Sequence, residues 1–198
     1  MKRILCACCG VVLIFLFLSG CGKAPTPDEW NDLKEAADNY SLEDAKRNGY
    51  VVIADGDAVF GENIWQKFFN LSAKKRPCKI RVVHYYTLDD PSHYDPAYYE
   101  SLKDDYPEMY ILELVFNGET FIVRHYEGEK YYGTEYKYLM KYEGEAESRE
   151  ATYTSYVRYV LVNDDTVTWN DIMHGMFSSQ SGDYIPHRSI YTDLVFKE

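Results

Sequence analysis

The sequence predicts an α+β fold, in which a mainly antiparallel, curved sheet of about six to eight strands is covered by two principal helices. Many short segments alternate apolar and polar residues with the two-residue period of a strand. Asp55-Gly56 and Asn117-Gly118 are typical hairpin turns. Only Glu62–Lys75 and Trp169–Ser178 combine helical periodicity with the length of a substantial helix.

The composition indicates one folded domain. The chain has 198 residues, of which 46% are hydrophobic, so it can bury a core and is not generally disordered. Its net charge of -11 disfavours nucleic acid as a partner, because binding to phosphates depends on cationic side chains. Tyrosine is unusually frequent, with 20 residues.

Residues 1–20 predict a lipoprotein signal peptide. Lys2 and Arg3 precede the apolar run Val11–Leu18, which is too short to span a bilayer. Leu18-Ser19-Gly20-Cys21 resembles the bacterial lipobox, and this resemblance implies cleavage before Cys21 and a diacylglycerol on its thiol. We therefore expect a protein anchored to the extracytoplasmic face of the cell membrane. The alternative is an ordinary secretory signal in which Cys21 is incidental.

The remaining chain divides into a tether and a domain. Residues 21–39 are expected to form a lipid-anchored tether with a weak helix, and residues 40–198 a single α+β extracytoplasmic domain. With the leader removed and Cys21 acylated, Cys78 is the cysteine that remains, so no intramolecular disulfide is expected. Cys78 begins an apolar strand, which favours the role of a small core residue.

Helices are predicted from capping residues and apolar faces. Two capping boxes, in each of which a Ser or Thr precedes an Asp by three residues, predict helices at Ser41–Asn48 and Trp169–Ser178. The strongest helix is Glu62–Lys75, which Pro77 ends. Its buried face is expected to contain four residues with helical spacing: Ile64, Trp65, Phe68 and Phe69.

Strands are predicted where alternating segments lie between turn signals. In chain order they are Tyr50–Ala54, Ala58–Phe60, Lys79–Thr87, Met109–Phe116, Thr120–Tyr126, Tyr131–Tyr142, Thr152–Val162 and Ser189–Phe196. Most connections are typical of antiparallel neighbours. An alternative arrangement is a single, strongly curved sheet wrapped around the Glu62–Lys75 helix.

The sequence predicts no catalytic residue, no metal site and no cofactor. Its five histidines show none of the spacings of zinc motifs, and it has no P-loop, dinucleotide-binding fingerprint or nucleophile elbow. Asp55–Glu62 resembles a calcium loop in outline only, because Val59 stands where an oxygen ligand is required.

Leu88–Pro107 is long for a connection in a compact domain, and such segments are often functional. It is rich in tyrosine and aspartate. As a recognition loop, with a weak cation site near its first aspartates, it would bind through Asp89, Asp90, His93, Tyr94, Tyr98 and Asp104. The alternative is a crossover that only packs on the sheet.

Tyrosines on the predicted strand Tyr131–Tyr142 suggest a second binding surface. Tyr136 and Tyr138 share one strand face with Met140 and Tyr142. Such a face would offer an aromatic platform to a sugar, a peptide or a partner protein. Tyrosine also suits a half-buried antiparallel sheet face, which is the structural alternative.

Four runs resemble an uncharacterised family of small lipoproteins from Gram-positive bacteria, especially gut clostridia, which carries a domain of unknown function. The runs are SLEDAKRNGYVVI at Ser41–Ile53, HYYTLDDP at His84–Pro91, YVRYVLVNDD at Tyr156–Asp165 and FSSQSGDYI at Phe177–Ile185. The resemblance implies an extracytoplasmic lipoprotein, and it supplies no catalytic residue or ligand.

Two functional hypotheses follow. The first is a non-enzymatic surface lipoprotein, a binding or regulatory module that is held at the membrane through Cys21 and recognises an envelope protein, a peptide or a carbohydrate. The alternative is an extracytoplasmic hydrolase that uses paired carboxylates on a wall or dietary polymer. The absence of nucleophile and metal motifs favours the first hypothesis. A deep acidic pocket with carboxylates of shifted pKa would favour the second.

Overall fold

The computed structural model describes residues 27, 30, 32–38, 40–146, 148–180 and 182–197. The predicted signal peptide and Cys21 lie outside the described residues. The described chain has an α+β fold with nine strands in two sheets and five α-helices. No helix in the described part of the chain combines the length and the apolar character that crossing a membrane requires.

The larger sheet is mixed and has six strands. In chain order they are β1 (Val51–Ala54), β2 (Asp57–Phe60), β3 (Cys78–Tyr86), β4 (Glu108–Phe116), β5 (Phe121–Glu127) and β6 (Lys130–Tyr136). Their spatial order is β2-β1-β3-β4-β5-β6. All neighbours are antiparallel except β1 and β3, which are parallel because a strand and a helix intervene between them in the chain.

The smaller sheet is antiparallel, with strands β7 (Tyr138–Glu145), β8 (Tyr153–Val162) and β9 (His187–Phe196). The prediction of one strand over Tyr131–Tyr142 is therefore wrong. The chain leaves the larger sheet at Lys137, whose backbone N–H donates to Asn163 Oδ1 at 3.2 Å, and then enters the smaller sheet. The prediction of one sheet of about six to eight strands is wrong as well, and so is the alternative of one sheet wrapped around the helix, since the nine described strands form two sheets that both pack on it.

Helix α3 (Glu62–Ala73) lies in the main core and confirms the strongest helix prediction. Trp65 and Phe68 are buried, while Ile64 and Phe69 are partly buried against the same cluster. The cluster also contains Val82 and Leu112 of the larger sheet together with Leu161 and Ile190 of the smaller one. Both sheets therefore bury apolar side chains against this helix.

The remaining helices cover the outer faces. Helices α1 (Leu33–Asp38) and α2 (Leu42–Arg47) pack on the larger sheet, and α5 (Trp169–Phe177) packs on the smaller sheet through Ile172. Both predicted capping boxes are present, with Ser41 paired to Asp44 and Thr168 to Asp171. Helix α4 (Pro96–Leu102) lies in the long crossover between β3 and β4 and has no buried residue.

A buried ion pair lies in the larger sheet near the N-terminal segment. Arg81 Nε donates to Glu113 Oε2 at 3.2 Å, and Arg81 Nη1 donates to the Tyr50 hydroxyl at 2.6 Å. The Arg81 guanidinium also lies 5.2 Å from the centre of the Trp30 ring. The Trp30 indole donates to the carbonyl of Asn48 at 3.2 Å. Residue 30 is therefore in contact with the folded domain.

Candidate functional site

A cleft of about 680 Å³ opens between the two sheets. Its walls come from β1, β3, β4 and β5 of the larger sheet and from β8 and β9 of the smaller sheet. The volume is in the range of sites that bind small molecules.

The two-residue period of the strands places polar side chains in this cleft. On β3, His84 follows Ile80 and Val82 along the face that meets the main core. On β5, His125 follows Val123 in the same way. The apolar face of each strand thus continues into a polar segment where the strand reaches the cleft.

His84 connects the two walls of the cleft. Its ring forms a hydrogen bond with the backbone of Ile190 on β9. Its Nε2 atom is buried and has no hydrogen-bond partner among the described residues. Burial, assisted by the positive charge of Arg188, lowers the pKa of His84 to about 4, so the ring is neutral at pH 7.

Three further side-chain atoms in the cleft are buried without a hydrogen-bond partner in the described part of the chain. They are His125 Nδ1, Arg158 Nε and Ser189 Oγ, and their residues all line the cleft. A buried polar group without a partner costs about 1–3 kcal/mol, and such groups are therefore uncommon in folded proteins. Four residues with such atoms line one cleft, and they bring unused hydrogen-bonding capacity to its walls.

Two arginines, Arg158 and Arg188, belong to the lining of the cleft. Neither Arg158 nor Arg188 lies within ion-pair distance of a carboxylate among the residues that the structure describes. The Arg158 guanidinium lies 4.8 Å from the ring centre of Trp169 and 5.3 Å from that of Tyr156, and neither ring lines the cleft. Arg188 is exposed, and its charge acts on His84 and on Tyr86.

One carboxylate, that of Glu127, belongs to the described lining of the cleft. Its Oε1 atom lies 3.3 Å from His125 Nε2. Glu127 itself is exposed, whereas the His125 ring is mostly covered and stacks on Tyr132. The lining therefore contains more cationic than anionic side chains.

Two tyrosine rings form an aromatic part of the wall. The ring centres of Tyr86 and Tyr110 are 6.1 Å apart in an edge-on arrangement. The Tyr110 hydroxyl donates to Glu108 Oε2 at 2.7 Å, and this hydrogen bond is the main reason that its pKa is raised to about 12. Both rings are partly exposed, so their faces remain available for contact.

The turn between β1 and β2 lies against β9 at the cleft. Gly56 has a φ of +91°, a conformation that glycine adopts readily and other residues rarely do. A Cβ atom at this position would lie 2.8 Å from Leu194 Cδ1. A side chain here would therefore have to displace the Leu194 side chain of β9.

The structure places the predicted loop residues in the exposed crossover between β3 and β4. Asp89 Oδ2 lies 2.8 Å from His93 Nδ1, and Asp90 caps the short 3₁₀ turn Pro91–His93 by accepting from the Ser92 N–H. The hydrogen bond to His93 is the main cause that lowers the pKa of Asp89, and the same bond raises the pKa of His93.

Other residues of this loop are aromatic or solvated. The Tyr94 ring is partly buried between Tyr98 and Tyr99, with ring centres 6.2 and 5.9 Å away. Asp104 is exposed. None of the residues from 88 to 107, which the structure describes throughout, lines the cleft.

The two tyrosines of the expected platform occupy different sheets. Tyr136 ends β6 and is 8% exposed within the main core. Tyr138 begins β7 and is 38% exposed. Because the chain changes sheets between them, the shared strand face that the sequence suggested does not form.

Neither the cleft nor the loop offers a clear metal site. The described residues contain no group of three or more His, Cys, Asp or Glu side chains placed to hold a metal ion. Among the described residues, Asp57 and Asp193 form a close carboxyl pair, in which burial and a hydrogen bond with Asp193 raise the pKa of Asp57. This pair does not line the cleft.

Sequence reasoning missed the cleft, although one signal was present. His84 and His125 interrupt strand faces that are otherwise apolar, and a polar residue on a buried face is informative. The sequence gives no comparable indication for the cleft residues of the smaller sheet, which are Arg158, Arg188 and Ser189. Their position depends on how the smaller sheet packs against the larger one.

Comparison with protein-family models, curated proteins and solved structures finds no match to this chain. Its function must therefore be inferred from the geometry of its own residues.

Proposed function

We propose that this protein is a non-enzymatic, lipid-anchored binding module of the cell surface, and that the cleft between its two sheets is its ligand site. The lipobox resemblance at Leu18–Cys21 supports the anchor and the extracytoplasmic location. The observation that carries the binding role is the cleft itself, in which four buried polar side-chain atoms lack partners among the described residues.

The chemistry of the lining favours binding over hydrolysis. A carboxylate-dependent hydrolase requires two carboxyl groups close to the same bond of its substrate. The described lining supplies Glu127 as its one carboxylate, and the Asp57–Asp193 pair lies outside it. The proposal therefore assigns recognition rather than bond cleavage to this cleft.

The proposal can be tested by blocking the cleft. Thr192 lines the cleft and is partly buried on β9, so Thr192→Trp would place a large side chain inside it. Thr134→Trp is the matched control, because Thr134 is exposed on β6 and does not line the cleft. Both full-length variants would first be compared with the parent by thermal unfolding.

The binding assay would combine envelope extracts with the purified full-length protein. Small molecules that remain bound after dialysis would be identified by mass spectrometry, and their effect on thermal unfolding measured. A ligand present at 100 times its Kd stabilises the folded state by about 2.7 kcal/mol. We expect the parent and Thr134→Trp to retain a common ligand that Thr192→Trp loses. Equal retention by all three proteins would place the ligand elsewhere and contradict the proposal.

A further inference from the structure

We propose that the cleft binds a small hydroxylated anion, a molecule that carries a carboxylate or phosphate group on a hydroxyl-bearing body. This inference rests on the proposed function, since it assigns a ligand class to the same cleft. Arg188 of the lining accounts for the anionic group, and the side chains with unpartnered polar atoms account for the hydroxyl groups.

The anionic group follows from the charges of the lining. The charge of Arg188 acts on His84 and Tyr86, and Arg188 has no carboxylate within ion-pair distance in the described chain. Glu127 is the one acidic residue of the described lining. The whole chain has the opposite bias, with 32 acidic and 21 basic residues. A guanidinium group presents a planar set of donors that matches a carboxylate or a phosphate.

The hydroxyl groups follow from the mixture of donors and acceptors. Arg158 Nε can only donate a hydrogen bond, whereas Ser189 Oγ can both donate and accept. The neutral His84 ring is hydrogen-bonded to Ile190 through its other nitrogen, so the acceptor lone pair of Nε2 is used by none of the described residues. A simple inorganic ion with acceptor oxygens alone would leave that lone pair facing a negative charge.

Aromatic and apolar side chains of the lining suit a ligand whose ring has C–H groups on its faces. Tyr86 and Tyr110 present aromatic surface, and Leu112 and Leu194 add apolar contacts on opposite walls. A sugar ring combines hydroxyl groups at its edge with C–H groups on its faces, so a sugar acid and a sugar phosphate are suitable probes.

The test is isothermal titration calorimetry on the full-length protein with five probes. D-glucuronate and glucose 6-phosphate have both a negative charge and sugar hydroxyl groups. Glucuronamide and glucose have the sugar hydroxyl groups but no negative charge. Inorganic phosphate has the negative charge but no sugar. We expect each of the first two to bind at least about tenfold more tightly than any of the other three, because charge-assisted hydrogen bonds are roughly twice as strong as neutral ones.

The variant Arg188→Gln removes one positive charge from the cleft and keeps a polar side chain at that position. Arg188 is exposed, so its replacement should leave the thermal unfolding temperature nearly unchanged. We expect the variant to bind D-glucuronate about tenfold more weakly and glucose with unchanged affinity. Arg76→Gln is the matched control, since Arg76 is exposed, lies outside the cleft and changes the net charge equally.

Three results would overturn the inference. If the protein bound glucuronamide and D-glucuronate with equal affinity, and Thr192→Trp bound neither, the ligand would need no negative charge. The cleft would still be the ligand site. Equal affinity for inorganic phosphate and glucose 6-phosphate would remove the hydroxyl requirement. Failure of all five probes would refute the assigned class, and the dialysis experiment with Thr192→Trp would show separately whether the cleft binds another ligand.

Discussion

The indole of Trp65 lies nearly parallel to the phenol ring of Tyr191, with ring centres 4.7 Å apart and an interplanar angle of 17°. Trp65 belongs to α3 and Tyr191 to β9, so this contact joins the central helix to the smaller sheet. Tyr159 of β8 meets the Trp65 ring edge-on at 5.0 Å and the Tyr191 ring edge-on at 5.6 Å. The aromatic cluster fixes the smaller sheet against the helix, and the cleft is bounded by the two sheets that this helix connects.

The first prediction concerns the core around this helix. Phe68 is 2% exposed and contacts Trp65, so Phe68→Ala should lower the free energy of unfolding by about 3–5 kcal/mol, because it leaves a cavity. Urea denaturation would measure the loss. Phe177→Ala is the control, since Phe177 is 79% exposed and its truncation should change stability by about 0.5 kcal/mol or less. A loss below about 1 kcal/mol for Phe68→Ala would mean that the helix is peripheral.

The second prediction concerns the buried pair of Arg81 and Glu113. Glu113→Ala removes a buried carboxylate that lies 3.2 Å from Arg81 Nε and 3.4 Å from Arg124 Nη1, so the free energy of unfolding should fall by about 3–5 kcal/mol. Glu100→Ala removes the carboxylate of an exposed pair with Lys103 and should cost at most about 1 kcal/mol. Similar losses in the two variants would show that burial adds little to the first pair.

The third prediction concerns pH. Burial, followed by the charge of Arg188, lowers the pKa of His84 from 6.5 in the unfolded chain to about 4 in the folded protein. The unfolded chain therefore binds this proton more readily, so the contribution of neutral His84 is present above pH 6.5 and is lost as the pH falls towards 4. The total loss is on the order of 3 kcal/mol.

Urea denaturation between pH 7 and pH 5 would measure this effect, because most carboxylates do not titrate in that range. His84→Gln should reduce the fall in stability over this range. His93→Gln should retain the fall, since His93 is exposed and the hydrogen bond to Asp89 raises its pKa instead. An unchanged pH profile in His84→Gln would assign the acid sensitivity to other groups.

The fourth prediction concerns the anchor, which lies outside the described residues. Cys21→Ser should prevent lipidation and normal maturation, because serine has no thiol to carry the diacylglycerol. Incorporation of radiolabelled palmitate and fractionation of the membrane would show this. Cys78→Ser should remain lipidated, since Cys78 lies partly buried in the domain, where burial raises the pKa of its thiol to about 11. A Cys21→Ser protein that still carried an acylated terminus would contradict the assignment.

The fifth prediction concerns the long crossover between β3 and β4. Replacing residues 89–106 by a short Gly/Ser linker should leave the domain folded, because α4 has no buried residue and loop closure depends weakly on length. Binding in the cleft should be preserved, since this segment does not line it. Thermal unfolding and calorimetry with the cleft ligand would test both expectations.

The same variant tests the recognition-loop hypothesis. If Asp89, Asp90, Tyr94 and Tyr98 contact an envelope partner, affinity capture of that partner should fall sharply while the protein stays folded. Unfolding of the variant would assign the segment a structural role. Unchanged capture by a folded variant would exclude the loop from recognition.

The sequence by itself determined the local elements of this protein. Capping boxes at Ser41 and Thr168, the apolar face of Glu62–Ala73 and the alternating strands were all predictable, because they depend on interactions between residues a few positions apart. The α+β class followed from the same local signals. The resemblance of Leu18–Cys21 to a lipobox also comes from the sequence alone, and the anchor it implies stays a prediction.

Only the tertiary structure decided which elements meet. The division of Tyr131–Tyr142 into two strands at Lys137 could not be predicted, since both halves have the same alternation and the break depends on which sheet each half joins. The cleft could not be predicted from the sequence for a related reason. His84 and Arg188 lie far apart in the chain, and they face one cleft because Trp65 and Phe68 hold two separate sheets against one helix. Long-range packing of this kind depends on the whole core, and no short segment of the sequence encodes it.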